Sequence, residues 1–126
     1  MLVIGGTKSK AIANTPILQA YIDAFQNALS AADAKLMVIG YGFRDDHINE
    51  AISSATKSGL RLFNISPQGS DAAKASNAGR GGLVQPQNNA IEDAFEASLF
   101  GASRRPLAAI FGGDVVEHRK ISRFFE

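Results

Sequence analysis

Three short apolar runs, separated by stretches with helical periodicity, constrain this chain more than anything else in it. Leu2-Val-Ile4 ends at Gly5-Gly6, Lys35-Leu-Met-Val-Ile-Gly40 ends at a sharp turn, and Leu60-Arg-Leu-Phe-Asn-Ile65 stops at Ser66-Pro67. Partly β-branched runs of this length, bounded by turn residues, read as strands. Between the first two, Thr15-Pro16 opens a helix whose apolar face is Ile17, Leu18, Tyr21, Ile22, Phe25 and Leu29. Thr15 suits the cap and Pro16 the first helical position. Between the second and third, Asp45 or Asp46 caps a helix with Ile48, Ala51, Ile52 and Ala55 on its inner face, and Gly59 ends it. This alternation, with connections too long for hairpins, predicts right-handed crossover units and a parallel sheet. The unbroken apolar run before Gly40 predicts a strand covered on both faces. The expected class is α/β, with a short parallel sheet of about three strands between flanking helices in an α/β/α arrangement.

The 126 residues suffice for one domain, taken as 1–126. Thirteen basic and twelve acidic side chains leave a formal charge of +1, so no basic excess points to nucleic acid. With no cysteine there is no disulfide, thiolate metal site or Cys nucleophile, and His47 and His118 alone predict no metal centre. No apolar run approaches the roughly 18 residues of a membrane span, and the first residues lack the pattern of a signal peptide. The expected location is the cytoplasm. From Gln68 to Asn89 the composition shifts to Gly, Ala, Ser, Asn and Gln, which predicts a mobile loop with a helical turn near Asp71–Ala75. Ile91, Ala94, Phe95 and Leu99 then have helical spacing. A short helix is expected after Pro106. Gly112-Gly113 breaks the chain, Asp114 caps, and Val115 to Phe125 reads as the last helix.

Most chemical information lies in Val38-Ile-Gly-Tyr-Gly-Phe-Arg-Asp-Asp-His-Ile-Asn49. Glycines at a strand end let the backbone turn tightly and approach a ligand, and the helix start that follows offers free amides. The third glycine of the common dinucleotide fingerprint is absent, since Asp45 stands there. Asp45 and Asp46 suit ribose hydroxyls better than phosphate. As plain structure, Gly40 and Gly42 make a turn and the aspartates cap a helix. Gly5-Gly-Thr-Lys-Ser9 lacks the spacing of a phosphate loop, yet Gly5 and Gly6 can bring backbone close to a ligand at the same sheet edge. Asn64, inside an apolar strand near its end, needs partners. They are either neighbouring strand ends or a ligand in the crevice at the carboxyl ends. Arg104-Arg105 is a small basic spot able to touch phosphate, His47 reads as a helix-surface residue, and His118 reads as solvated. Phe124 and Phe125 are expected to pack on the sheet.

The stretch Gly40-Tyr-Gly-Phe-Arg-Asp-Asp-His-Ile-Asn49 resembles the sirtuin-like (silent information regulator-like) domain of bacteria, in the branch without a zinc ribbon. Asp46, Ile48 and Asn49 match that branch's pattern. Ile4-Gly-Gly-Thr-Lys8, Tyr21, Phe25 and Ala32-Asp33 are similar to its preceding segment, and Leu60 to Pro67 to its next strand. The likeness is good over residues 2–67 and looser over 90–126. It implies a Rossmann-like domain binding NAD. By position the Gly40-Tyr41-Gly42 turn would match the family's backbone loop at the ribose and phosphates, and Asn64 its adenosine-side Asn; Gly5, Gly6, Thr7 and Asp46 complete the expected cofactor-binding set. The family's amino-terminal half, with its Gly-Ala-Gly-x-Ser loop and catalytic Asn and His, has no counterpart here. The chain is therefore expected to correspond to the carboxyl-terminal half of a doubly wound domain. It is expected to bind NAD or ADP-ribose without catalysing alone, to carry no catalytic or metal residue, and to cover a sheet edge in a homodimer or with a partner chain. The alternatives are an interaction module that kept only the fold, a subunit of a split NAD hydrolase or deacylase, and a small nucleotide enzyme using Asp45, Asp46 and His47.

Overall fold

The computed structural model describes residues 15–74 and 90–126. The Leu2–Ile4 strand, Gly5, Gly6 and Thr7 lie outside the described residues. The described chain runs α1 (Pro16–Leu29), β1 (Lys35–Ile39), α2 (Asp46–Thr56), β2 (Arg61–Ile65), a 3-10 turn (Gly69–Asp71), α3 (Ala90–Ser98), β3 (Leu99–Ser103), α4 (Leu107–Ile110) and α5 (Val115–Phe125). The three strands form one parallel sheet in the order β1-β2-β3.

Strand alternation divides the core. Leu36, Val38 and Leu62 face α1, α2 and α3, packing with Leu29, Ala51, Ile52, Ala55, Ile91 and Phe95. Met37, Phe63 and Ile65 face the other way, against Ile110, Ile121 and Phe124. Helices therefore cover both faces. Periodicity explains the inward residues of α2, and Gly59 ends that helix at φ +87. Asp114 caps α5 by accepting from the Val116 and Glu117 amides at 3.0 and 3.1 Å. Thr15 and Asp45 occupy cap positions, but neither side chain makes a capping hydrogen bond. On α1 the expected face is only partly used, because Ile17 and Tyr21 are exposed.

Three expectations change. Leu99 does not end a helix; it begins β3. The described sheet thus has Leu99–Ser103 as its third strand. Its register slips between Leu62 and Phe63, where Gly101 takes the place beside Phe63 and Phe100 is left out of the pairing. The Phe100 ring lies under the Arg61 guanidinium at 4.0 Å. Second, β1 is not covered throughout. Only Val38 is buried, and Ile39 is 49% exposed, because among the described residues β1 pairs on one side alone. Third, Phe124 packs on Phe63 as expected, whereas Phe125 is 65% exposed. Of the segment 68–89, residues 68–74 are described. They form the 3-10 turn and a helical continuation that buries Ala72 and Ala73. No described helix is long and apolar enough to cross a membrane.

Candidate functional site

Parallel strands bring their carboxyl ends to one edge of the sheet, where open α/β proteins bind their ligands. At that edge β1 gives way to Gly40, at φ +64, whose amide donates to the Ile65 carbonyl at 2.9 Å. Tyr41 and Gly42 follow, and Phe43 adopts φ +52 while being 1% exposed. Two side chains fix this unusual path. The Asn49 amide donates to the Phe43 carbonyl at 2.9 Å, and the Tyr41 hydroxyl reaches Asn49 Oδ1 at 2.9 Å. The same hydroxyl lies 3.1 Å from the Asp45 carbonyl and accepts from the Asp45 amide at 3.3 Å. Burial, the largest influence, pushes the Tyr41 phenol up to about 12, so it stays a neutral donor at neutral pH. Tyr41 and Asn49 thus hold the turn in shape. Gly40, Gly42 and Asp46 are the exposed members of the expected set.

Asn64 sits on the central strand, 0% exposed. Its amide donates to Ser66 Oγ at 2.9 Å and to the Gly69 carbonyl at 2.7 Å, while the Gly69 amide donates to Ser66 Oγ at 3.1 Å. The donor half of the carboxamide is satisfied. The acceptor Oδ1 is buried without a hydrogen-bond partner among the described residues. A buried acceptor left unpaired costs on the order of 1–3 kcal/mol, which marks Asn64 as more than core filling.

Beside it, between the ends of β2 and β3, lies an open cleft of about 310 Å³. Its walls are Gly69 and Ser70 on one side and Ala102 to Arg105 on the other, closed by Glu117 and Lys120 of α5. Ala102, in register with Asn64, and Gly69, whose carbonyl accepts from the Asn64 amide, both line the cleft. Ser103, buried, donates to Glu117 Oε2 at 2.5 Å and accepts from the Arg105 amide at 3.1 Å. Lys120 Nζ stands 2.6 Å from Glu117 Oε1, and Arg104 pairs with Asp71 at 2.7 Å. The Lys120 contact, then the Ser103 hydroxyl, holds the Glu117 carboxyl below its usual value of 4.5.

That shift has a pH signature. A carboxyl held low in the fold stabilises it above the ordinary carboxylate pKa, and that contribution is lost as pH falls through the folded value. The melting temperature is expected to drop on acidification below about pH 4.5. Glu117→Gln should flatten that acid limb, which thermal melts between about pH 7 and pH 3 would read.

Sequence reasoning had singled out Arg104-Arg105, and both line the cleft. It missed Ser103, Glu117 and Lys120. Glu117 stands three residues after the Asp114 cap, a capping-box spacing, yet it turns to Ser103 and Lys120 instead. Gly40, Tyr41, Gly42 and Asp46 cluster at the end of β1, and Asn64 stands one strand away beside the cleft. His118 is exposed and His47 half-buried. No group of three or more metal-ligating side chains occurs among the described residues. Comparison with protein-family models, with curated proteins and with solved structures finds no match.

Proposed function

We propose that this chain is a nucleotide-binding module of Rossmann-like character, holding NAD or its ADP-ribose portion at the carboxyl edge of its sheet. On this reading it matches the carboxyl-terminal half of a sirtuin-like domain and binds without cleaving on its own. The observation that carries it is the unpaired Oδ1 of Asn64, an acceptor kept at the strand end where such folds meet their ligands. An adenine amino group or a ribose hydroxyl supplies the missing donor. Oδ1 is covered in this structure, so on this reading a ligand donor meets it only once the hydrogen-bonded turn at Ser66–Gly69 gives way. The exposed Gly40 and Gly42 support the reading, with room for close approach of a ligand to their backbone. So do the first amides of α2, which the Asp45 side chain does not cap. On this reading Asp46, exposed at the start of α2, accepts from ribose.

Calorimetric titration with NAD and with ADP-ribose tests this. A β-carbon on Gly42 meets only Arg44 Cγ, at 3.9 Å, so Gly42→Val should keep the fold and its melting temperature. The expected result is saturable binding to the native chain that disappears in Gly42→Val. No saturable heat at millimolar ligand from a folded chain would remove the nucleotide reading.

A second reading, an assembly module pairing as a homodimer or with another chain, is favoured by the exposed apolar residues Leu107, Phe111, Val115 and Val116 around α4 and the start of α5. Light scattering on the same sample decides it, since a monomer at all concentrations would exclude the homodimer.

A further inference from the structure

We propose that the cleft between β2 and β3 binds a phosphomonoester that carries neighbouring hydroxyl groups, a molecule of sugar-phosphate size, with Arg105 taking the phosphate. This inference concerns a different pair of strand ends from the Gly40 turn and stands without the nucleotide reading.

The size of the cleft sets the first limit. About 310 Å³ is at the lower end for small-molecule sites, enough for a sugar phosphate and too little to enclose a dinucleotide. The state of each charge sets the second. Arg104 is engaged with Asp71, and Lys120 with Glu117. Arg105 is among the residues that line the cleft, is exposed, and its guanidinium has no ion pair or hydrogen bond among the described residues. Its planar fork of N–H donors suits bidentate contact with phosphate oxygens.

The carboxylate in the same cleft argues against a bare anion as the ligand. Glu117 is buried and each of its oxygens already accepts one hydrogen bond, from Ser103 and from Lys120. Its charge is thereby offset, but a carboxylate offers about four lone-pair positions, so acceptor capacity remains. A hydroxyl group can use it, whereas a second anion cannot. Cationic fork and spare carboxylate acceptor share one cleft, so the two ends call for a ligand with phosphate at one end and hydroxyls at the other. The Ser103 to Arg105 backbone, tied by the Arg105 amide to Ser103 Oγ, fixes the spacing between them.

Ribose 5-phosphate, ribose and inorganic phosphate are the probes, titrated into the folded chain with amide chemical shifts read at Ala102 to Arg105. Ribose 5-phosphate is expected to saturate, more tightly than either half alone. Arg105→Ala, a change at an exposed side chain, should weaken it at least about tenfold, the usual worth of a charge-assisted pair. Glu117→Gln should weaken ribose 5-phosphate while leaving or improving the response to inorganic phosphate, and circular dichroism reports whether that variant is folded. Gly42→Val should change none of these, which separates this site from the nucleotide reading. Equal binding by the native chain and Arg105→Ala would overturn the proposal. Inorganic phosphate binding as tightly as ribose 5-phosphate would overturn it too, as would no saturable response to any probe.

Discussion

Phe43→Ala is expected to lower stability by about 3–5 kcal/mol, the usual cost of removing a fully buried aromatic ring. The ring is 1% exposed and sits between Tyr41, at 4.9 Å, and Phe95 of α3, at 5.0 Å between centroids. It is the only side chain of the Gly40–Arg44 turn that is fully buried. Its backbone stays at φ +52 in the variant, so the strain remains while the contacts that offset it are lost. A domain of this size has a stability on the order of 5–15 kcal/mol, so a large share would be gone. Chemical denaturation should show the midpoint fall. Amide exchange should show that the loss is felt first between Gly40 and Asn49. A variant as stable as the native chain would mean that the turn is held by the Asn49 and Tyr41 hydrogen bonds alone.

Gly101→Val should be the second large effect, by overpacking. A β-carbon at Gly101 would stand 2.8 Å from Phe63 Cε2 and 3.0 Å from Cδ2. Phe63 is buried and its ring is fixed by Phe124 at 5.6 Å, so it has little room to retreat. Such insertions cost about 1–3 kcal/mol. The diagnostic result is non-additive. Combining Gly101→Val with Phe63→Leu should restore part of the stability that Gly101→Val removes, as contacting residues do in a double-mutant cycle. Strict additivity would show that the two residues do not share the space.

The same pair explains what the sequence could and could not reveal. β1, β2, α2 and α5 were legible because apolar runs mark the strands and helical periodicity the helices, even though Asp45 forms no side-chain cap on α2 and β1 is only partly buried. β3 was not, because Leu-Phe-Gly-Ala-Ser has no β-branched residue and Leu99 continues the i, i+4 spacing from Phe95. What makes it a strand is its pairing along β2, with Gly101 in a seat beside Phe63 that a β-carbon would crowd. The candidate site inherits that gap. Arg104 and Arg105 stood out as charges, but the Ser103–Glu117 bond spans fourteen positions and exists only once β3 brings Ser103 to α5. The sequence alone gives Asn49 no place in the expected site; its side chain closes the turn that precedes its own helix, a role visible only in the fold.

The order of the described strands across the sheet is the order in which the chain is synthesised. Each new strand docks on the one just completed, and none has to slip between two already paired. Each pairing still has to close a whole crossover, from Ile39 to Arg61 and from Ile65 to Leu99, and parallel pairing across such segments is slower than the formation of local contacts. The β1–α2–β2 unit emerges from the ribosome before β3 and α5, so the cleft, which needs both of those later elements, forms after that unit.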